Sequence, residues 1–456
     1  MKNLSYFQTL LEQKRSLYFL GIGGVSMSSL AMAAKKMGCN VAGYDAADNA
    51  VTQGLESLGI PVDHAFRAEA YEGIDGIVFT GAIHEDDPVF SYPAAQGIPM
   101  LRRGAFLGLL MKRHANPVGI SGTHGKSTTT GMLTSIFLAE EARDPTVMAG
   151  AVLPVLNSTW RDGGGEDFLF EACEYQNSFL DFFPRIAVVL NVEHDHADFF
   201  PTLEDVIRSF TAFCDLAKDG YAVILTESEG AREVARRTTA PVFRVSTEGE
   251  GDLWCENLRE EKGFFSFDIV TKTGLYTSVT LSVPGKHNVG NALCAAAAAY
   301  LSGISGKAVS EGLHAFGGVK RRFEYRGRCG KMRVFDDYAH HPDEIRATLT
   351  AARSMGEEKI TVVFQSHTYT RTAAYWNEFI SALSLADRVI HMDIYPAREE
   401  PLEGITARRM AEESPNGEYL GNRDAIVAAL KKDEGDGLLI FMGAGSVVEL
   451  TDKVLS

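Results

Sequence analysis

The chain lacks the sequence marks of several protein classes. Its six cysteines are scattered, and they form neither a C-x-x-C pair nor a His/Cys cluster with zinc-binding spacing. We therefore expect the reduced thiols of a cytosolic protein and not a disulfide scaffold. Apolar runs are short and the N-terminal stretches carry charges, so we expect neither a signal peptide nor a membrane-spanning helix.

Positive charge is also scarce. The 44 Lys and Arg residues are outnumbered by 60 Asp and Glu residues, which gives a formal net charge of -16. A general nucleic-acid surface or an anionic membrane surface needs a basic face, so we expect neither as a partner. A nucleotide site is compatible with this charge, because phosphate binding needs only local cations and backbone N–H groups.

What the chain does contain is the alternation typical of parallel α/β sheets. Short β-rich apolar runs alternate with helical stretches over most of the 456 residues. Predicted strands cover residues 17–20, 41–44, 77–80, 118–120, 186–191, 221–225, 332–335, 360–364, 388–392 and 438–442. The alternating apolar and polar residues over 243–283 predict an antiparallel patch, and residues 292–301 predict a helix. We expect three units, with boundaries near residues 116 and 325.

A glycine-rich loop between a strand and a helix is the strongest single indication of chemistry. Residues 119–128 read GISGTHGKST. Glycines let the backbone wrap around phosphate oxygens, and a helix N-terminus offers unpaired N–H groups. Lys126 can neutralise the β- and γ-phosphates, and Ser127 can ligate Mg²⁺. Ile120 replaces the first glycine of the general G-x-x-x-x-G-K-[ST] pattern, so a plain glycine turn with a surface lysine stays open.

Carboxylates and histidines follow two apolar runs of the second unit. Glu171 and Glu174 come after the first run, and residues 193–198 read EHDHAD after the second. The carboxyl ends of parallel strands are where ligands bind, and oxygen ligands suit Mg²⁺. A magnesium site is the functional interpretation, while a solvated loop or a zinc site stays open from spacing alone.

The first unit contains another glycine turn. Gly21, Gly23 and Gly24 follow a predicted strand, and Asp45 ends the next strand. This pattern is similar to a dinucleotide-binding turn with a ribose-binding acid, although Ser26 replaces the third glycine. Nucleotide binding and a plain strand-to-helix turn are equally open on these residues alone.

Polar clusters recur in the third unit, just after predicted strands. They occupy residues 336–342, 365–371 and 393–399, and the run of residues 320–324 precedes the first of them. Any single cluster is explained by a capped turn or a surface ion pair. Several clusters at equivalent strand ends favour one wall of an active site.

Together these motifs resemble the Mur ligase family over nearly the whole chain. The resemblance runs, in the family's order, through residues 21–31, 122–130, 171–196, 285–295, 321–342, 364–372 and 442–445. It implies a three-domain α/β enzyme with a Rossmann-like UDP-binding domain (1–115), a P-loop ATP-binding domain (116–324) and a Rossmann-like C-terminal ligase domain (325–456). The implied reaction uses ATP and Mg²⁺ to join L-alanine to UDP-N-acetylmuramate through an acyl phosphate, in peptidoglycan synthesis. A cytoplasmic monomer or homodimer is expected.

The resemblance also implies roles for individual residues. Catalysis would depend on Lys126, His196 and Arg322. ATP would be bound by Gly122, Thr123, His124, Gly125, Lys126, Ser127, Thr128, Asn291, Arg322 and Asp337. The metal would be bound by Ser127, Glu171 and His196, with Glu171 a better match than Glu174. UDP would lie along Gly23, Gly24, Ser26 and Asp45, and the amino acid would lie near Tyr338, His367 and Arg371.

Several positions depart from the family pattern. Cys173 stands where many members have Asp, Thr368 stands where many alanine-adding members have Arg, and Ser446 replaces a common acid. Thr368 therefore leaves the amino-acid preference open. Residues 197–217 contain no lysine, so the carbamylated lysine that later-acting members use in this region is absent, in agreement with an alanine-adding enzyme.

Two kinds of alternative stay open. Within the family, a recycling ligase would add a preformed tripeptide to UDP-N-acetylmuramate. Residues 174–175 and 196–198 favour that ligase slightly, and the HTYTR sequence of residues 367–371 disfavours it. Outside the family's chemistry, a nucleotide-binding regulator would not need the intact Lys126 and Glu171, and a dehydrogenase would leave the phosphate loop unexplained.

Overall fold

The computed structural model describes residues 2–195, 199–356, 359–397 and 399–456. Over these residues the chain forms helices between mainly parallel strands. None of the helices in this part of the chain is long and apolar enough to cross a membrane.

The first sheet contains five parallel strands in the order β3-β2-β1-β4-β5. They are β1 (Ser16–Leu20), β2 (Asn40–Tyr44), β3 (Val62–Asp63), β4 (Gly76–Phe79) and β5 (Met100–Arg102). The helices are α1 (Lys2–Glu12), α2 (Val25–Lys36), α3 (Ala50–Ser57), α4 (Pro88–Ala95) and α5 (Arg103–Met111). The strands predicted at 17–20, 41–44 and 77–80 are confirmed, whereas the short β3 and β5 were not predicted.

A second set of strands surrounds the phosphate loop, in the order β12-β11-β10-β6-β9-β7-β8. They are β6 (Asn116–Ser121), β7 (Thr146–Leu153), β8 (Ser158–Arg161), β9 (Asp167–Glu171), β10 (Ile186–Val189), β11 (Tyr221–Leu225) and β12 (Val242–Ser246). The helices are α6 (Lys126–Ala139), α7 (Leu203–Asp215) and α8 (Glu229–Arg237). All six residues of β6 are buried, as expected for a central parallel strand.

An antiparallel meander follows, with β13 (Leu253–Glu261) paired to β14 (Phe264–Thr271) and β14 paired to β15 (Gly274–Thr280). The antiparallel prediction for residues 243–283 is confirmed for these three strands and wrong at its start. There β12 pairs parallel to β11. The prediction failed because the alternation of side chains along a strand is the same in parallel and antiparallel sheets. Next come α9 (His287–Leu301), which contains the helix predicted at 292–301, and α10 (Gly306–Ala315).

The last sheet has six strands in the order β16-β17-β21-β18-β19-β20, with only β16 antiparallel to its neighbour. They are β16 (Glu324–Cys329), β17 (Met332–Asp337), β18 (Ile360–His367), β19 (Arg388–Tyr395), β20 (Gly417–Tyr419) and β21 (Leu438–Met442). The helices are α11 (Pro342–Ser354), α12 (Tyr369–Ala374), α13 (Trp376–Leu383), α14 (Ala407–Glu413), α15 (Arg423–Lys432) and α16 (Val448–Leu455). Separate apolar clusters cover its two faces, as expected for a doubly wound sheet.

The strand ends of this sheet correct one detail of the sequence interpretation. Asp337, His367 and Tyr395 are the last residues of β17, β18 and β19, and do not follow these strands. The strands are longer than their apolar runs because polar residues at a carboxyl edge still make ladder hydrogen bonds. The polar clusters therefore begin on rigid strand ends.

The chain divides into two compact units. Unit 1 comprises Met1–Val152, Leu156–Val245 and Cys294–Ser305, and unit 2 comprises Leu153–Val155, Ser246–Leu293 and Gly306–Ser456. Unit 1 contains the first sheet and the strands around the phosphate loop, except for Leu153 and Ser246 at the ends of β7 and β12. The last sheet belongs to unit 2. The domain limits near residues 116 and 325 stay predictions.

Candidate active site

The phosphate loop joins β6 to α6 through two glycines in left-handed conformations. Gly122 has φ 146° and Gly125 has φ 86°, where a side chain would be strained. A Cβ on Gly122 would also lie 2.9 Å from the Cβ of Leu190. The loop therefore follows a path that only glycine permits at these positions.

Asn191, just beyond β10, fixes this loop from a neighbouring strand. Its side-chain oxygen accepts a hydrogen bond from the His124 amide at 2.8 Å, and its side-chain amide donates to the His124 carbonyl at 3.1 Å. The Thr123 amide donates to the Asn191 carbonyl at 3.2 Å. The Thr123 hydroxyl accepts from the Glu193 amide at 3.0 Å. The loop is thus shaped before any ligand arrives.

Lys126 begins α6, and its ammonium folds back over the loop. The Nζ atom donates to the carbonyl oxygens of Gly122 at 2.6 Å and Thr123 at 3.0 Å. It lies 3.1 Å from each carboxylate oxygen of Glu174. Glu174 is only 2% exposed, so this ion pair is shielded from water.

The charge on Lys126 is secured by its surroundings. Burial is the largest single effect and lowers the pKa of Lys126, but the neighbouring acidic groups, Glu174 first, together raise the pKa above its usual value. The ammonium therefore stays protonated at neutral pH. A fixed cation at the mouth of a phosphate loop is what a triphosphate requires.

A second pair of side chains lies beside the first. The Ser127 hydroxyl donates to Glu171 Oε2 at 2.8 Å, and the Gly150 amide donates to the same oxygen at 3.0 Å. A Cβ on Gly150 would lie 2.5–2.8 Å from the Glu171 carboxylate. The backbone of β7 can therefore lie this close to Glu171 only because residue 150 is glycine. Ser127 and Glu171 offer adjacent hard oxygen donors, which fits a Mg²⁺ site.

The structure thus brings together most of the residues predicted around the phosphate loop. Thr128 lies half-buried in the first turn of α6. The predicted metal ligand and catalytic residue His196 lies outside the described residues. Glu171 pairs with Ser127 and Glu174 pairs with Lys126, which agrees with Glu171 as the better metal candidate, although the metal itself stays a prediction.

The first glycine turn is closed by Asp45. The Gly23 amide donates to Asp45 Oδ2 at 2.9 Å, and a Cβ on Gly23 would lie 2.8 Å from that oxygen. Gly24 directly precedes α2. Ser26 Oγ accepts from the guanidinium of Arg103 at 2.9 Å. The four predicted UDP residues therefore share one strand edge, and their role in binding UDP stays a prediction.

In unit 2, Asp337 organises the turn that carries Arg322. Its carboxylate accepts from the Ala339 amide at 2.6 Å, the Phe323 amide at 2.9 Å and the Thr348 hydroxyl at 3.1 Å. Burial raises the pKa of Asp337 to about 6, against the lowering effect of Arg322. The buried carboxylate thus fixes the arginine turn, and a contact with ribose stays a prediction.

Arg322 and the predicted amino-acid residues are gathered at the same strand edge. The guanidinium of Arg322 lies over the ring of Tyr338, 5.3 Å from its centroid, and its Nη1 lies 3.4 Å from Glu344 Oε1. The ring of His367 stacks on Tyr395 at 5.4 Å. Burial, helped by the charge of Arg371, lowers the pKa of His367, so its imidazole is neutral at pH 7.

Asn291, the predicted adenine contact, also lies in unit 2. It is 6% exposed, and its amide donates to Asn288 Oδ1 at 3.0 Å. Asn288 in turn donates to the Pro284 carbonyl at 2.7 Å. The two asparagines form a buried amide pair at the start of α9.

Sequence reasoning missed three residues that shape these sites. Asn191 was named at the end of a strand and at the start of the acidic and histidine segment, but without a role. Gly150 was not singled out, and Glu399 was named within a polar cluster without a role. The carboxylate of Glu399 accepts hydrogen bonds from the amide and hydroxyl of Thr370. A polar residue at a carboxyl strand end was a usable signal for Asn191, whereas nothing in the sequence pairs Gly150 with Glu171.

Comparisons with known proteins agree with this arrangement. Three family models match: "Mur ligase family, catalytic domain" over residues 16–115, "Mur ligase middle domain" over 120–299, and "Mur ligase, glutamate ligase domain" over 321–445. The UDP-N-acetylmuramate–L-alanine ligase of Agathobacter rectalis is 39% identical, over 96% of this chain and 97% of its own. The ligase of the same name from Acetivibrio thermocellus is also 39% identical, over 97% of this chain and 96% of its own.

Solved structures extend the comparison to the fold. The UDP-N-acetylmuramate–alanine ligase of Thermotoga maritima has a TM-score of 0.80 at 25% identity, covering 97% of this chain and 98% of its own. A murein peptide ligase from Psychrobacter arcticus has a TM-score of 0.71 at 23% identity, covering 97% and 98%. The likeness extends over all three predicted domains.

Proposed function

The chain belongs to the Mur ligase family, and from that premise we propose that it joins L-alanine to UDP-N-acetylmuramate at the expense of ATP. It is a three-domain α/β ligase. The observation that carries the proposal is a preformed phosphate loop in which Lys126 pairs with Glu174 and Ser127 pairs with Glu171. Full-length relatives named as L-alanine ligases specify the amine.

The reaction needs an activated carboxylate, because a carboxylate is a poor electrophile. A carboxylate oxygen of the sugar nucleotide attacks the γ-phosphorus of ATP, and ADP leaves. The amine of L-alanine then attacks the carbonyl carbon of the acyl phosphate, phosphate leaves, and the nitrogen loses a proton. Both steps collect negative charge on phosphoryl oxygens, so fixed cations along the path lower the barrier.

Lys126 supplies one such cation. It is already placed at the loop by the Gly122 and Thr123 carbonyls and by Glu174, and one of these three hydrogen bonds would be exchanged for a phosphate oxygen when ATP binds. Gly122, Thr123, His124, Gly125, Ser127 and Thr128 would line the triphosphate. Ser127 and Glu171, together with His196, would hold Mg²⁺, which neutralises phosphate charge when bound.

Unit 2 would supply the remaining groups. Arg322 would contact the phosphates, Asp337 the ribose and Asn291 the adenine. Tyr338, His367 and Arg371 would lie near L-alanine, where Arg371 suits the amino-acid carboxylate and a neutral His367 suits a proton released by the attacking amine. In unit 1, Gly23, Gly24, Ser26 and Asp45 would line the UDP.

The biological setting follows from the substrates. ATP and UDP-sugars are cytoplasmic, so we place the enzyme in the cytoplasm, as a monomer or homodimer, without a nucleic-acid or membrane partner. Its product would feed peptidoglycan synthesis, and through the cell wall it would affect cell shape and division.

Phosphate release tests the proposal directly. Purified protein receives ATP, Mg²⁺ and UDP-N-acetylmuramate, with L-alanine, glycine, L-serine or the tripeptide L-Ala-γ-D-Glu-meso-diaminopimelate as the amine. Release that requires both the sugar nucleotide and L-alanine supports the proposal. Release driven only by the tripeptide moves the protein to the recycling reaction, and no amine-dependent release refutes a ligase function.

A further inference from the structure

Thr368 has a backbone conformation that a β-branched residue rarely adopts. Its φ is 68° and its ψ is 145°, a combination that is close to the region used almost only by glycine. It lies between His367 and the start of α12, which carries Arg371. The conformation of this one residue therefore sets the directions in which both predicted amino-acid contacts point.

The last residue of β19 and the segment after it supply the contacts that hold Thr368 in place. The Thr368 amide donates to the Tyr395 carbonyl at 2.8 Å. The Thr370 amide donates to Glu399 Oε2 at 2.9 Å, and the Thr370 hydroxyl donates to Glu399 Oε1 at 2.5 Å. Burial raises the pKa of Glu399, but the nearby donors of Thr370, Tyr369 and Thr368 together lower it below its usual value.

Glu399 thus accepts two hydrogen bonds from Thr370, which lies two residues after Thr368 in the first turn of α12. The ring of Tyr395 holds the residue before Thr368, because it stacks on His367 at 5.4 Å with 22° between the planes. Strained backbone persists only where surrounding contacts over-determine it. An ionised carboxylate is the strongest of these contacts, since charge-assisted hydrogen bonds exceed neutral ones.

We propose that Glu399 is a positioning residue for the amine substrate, which holds the strained loop at Thr368 so that His367 and Arg371 face the incoming amino acid. Glu399 does not touch the substrate in this proposal. The inference rests on the proposed function, because it assumes that the amine binds at His367 and Arg371. The proposal adds that the backbone conformation of Thr368, a residue that departs from the family pattern, depends on the carboxylate of Glu399.

Two variants test the charge on Glu399. Glu399→Gln keeps the side-chain size but removes the charge and one acceptor. Glu400→Gln makes the same change at an exposed neighbour. In steady-state assays we expect Glu399→Gln to raise the KM for L-alanine by up to about 100-fold. The KM values for ATP and UDP-N-acetylmuramate should stay near those of Glu400→Gln. Equal KM values for L-alanine in the two variants would overturn the proposal.

A rescue variant separates loop strain from general damage. Glycine adopts positive φ without a Cβ penalty, so Thr368→Gly in the Glu399→Gln background should recover most of the lost affinity for L-alanine. A double variant as weak as Glu399→Gln alone would mean that backbone strain is not what Glu399 opposes.

Hydrogen exchange keeps this test independent of the proposed reaction. In Glu399→Gln, amides of residues 367–374 should exchange faster than in Glu400→Gln, whatever the enzyme's substrate is. Unchanged exchange would overturn the positioning role. By contrast, a wild-type protein without amine-dependent phosphate release would refute the proposed function while the exchange comparison still reports on Glu399.

Discussion

At the scale of single residues, the buried ion pair between Lys126 and Glu174 affects both the stability of the fold and the proposed phosphate site. The two side chains are 15% and 3% exposed, so neither charge is well solvated. Removing one partner from such a pair leaves an uncompensated buried charge, which costs more than the pair itself contributes. The pair therefore keeps a cation available for phosphate while making the loop sensitive to substitution.

A double-mutant cycle measures this dependence. We expect Glu174→Gln to lower the free energy of unfolding by about 3 kcal/mol, because Lys126 is left without its counter-ion. Lys126→Met together with Glu174→Gln should cost less than the sum of the single changes. Urea titrations followed by circular dichroism give the three values. If the two single changes in the free energy of unfolding add up to that of the double variant, the residues are not coupled. Lys272→Met is the control, because Lys272 forms an exposed ion pair with Asp252.

His391 makes a different residue-scale prediction, about pH. It is 1% exposed, and its Nε2 has no hydrogen-bond partner among the described residues. Burial lowers the pKa of His391 to about 4. The usual pKa of a histidine is about 6.5. At a pH between about 4 and about 6.5, His391 therefore binds a proton in the unfolded chain but not in the folded chain. The effect of His391 on the free energy of unfolding is therefore absent above about pH 6.5, and the protein loses stability through His391 as the pH falls towards 4.

His391→Phe should remove that pH dependence. The difference between the two pKa values corresponds to about 3 kcal/mol at most. The variant should thus gain stability relative to wild type as the pH falls from 7 to 4.5, in urea titrations at several pH values. A difference that is constant with pH would show that His391 is already protonated or solvated in the folded protein.

Single residues also show where sequence reasoning ends. The phosphate loop, Asp45 near Gly23 and the pairing of Ser127 with Glu171 were predictable, because motifs fix residue types relative to strand ends. The contacts of Gly150 and Glu399 were not, since they depend on which strands become neighbours. The positive φ of Thr368 opposes its intrinsic preference and is imposed by tertiary contacts.

At the scale of elements, the long apolar strands were predicted well and the short or edge strands poorly. β6, β18 and β21 are buried along almost their whole length, so their apolar runs identify them. β7 contains Gly150, which weakens its strand pattern, yet that glycine allows β7 to donate to Glu171. The residue that obscured the strand is the one that shapes the proposed metal site.

Gly150→Ala tests this element-scale dependence. The added Cβ would lie within 2.8 Å of both Glu171 oxygens, so Glu171 must turn away from Ser127. We expect the Mg²⁺ concentration at half-maximal activity to rise by about 10-fold or more. Gly54→Ala is the matched control, because no described atom lies within 4 Å of its added Cβ. An unchanged Mg²⁺ requirement in folded Gly150→Ala protein would remove Glu171 from the metal site.

At the scale of the whole molecule, the residues proposed for ATP belong to both compact units. Lys126 and Ser127 belong to unit 1, whereas Asn291, Arg322 and Asp337 belong to unit 2. Asn291 lies between the predicted boundaries near residues 116 and 325, so the sequence assigned it to the same unit as Lys126 and Ser127. The proposed roles therefore make phosphoryl transfer conditional on cations from both units.

Arg322→Ala tests that conditional chemistry. Loss of a cation that acts on developing phosphoryl charge should lower kcat by about 100-fold or more, while binding of UDP-N-acetylmuramate, measured by calorimetry, stays unchanged because its proposed contacts lie in unit 1. Arg328→Ala, an exposed arginine of β16, is the control.

The double variant with Lys126→Ala makes the test stricter. Residues that act as one catalytic group are not additive, so the double variant should be scarcely slower than the slower single variant. If the two losses instead multiply, Arg322 and Lys126 act on separate steps. Arg322 would then belong to amine binding and not to phosphoryl transfer, because its guanidinium already lies over Tyr338 at the proposed amino-acid site.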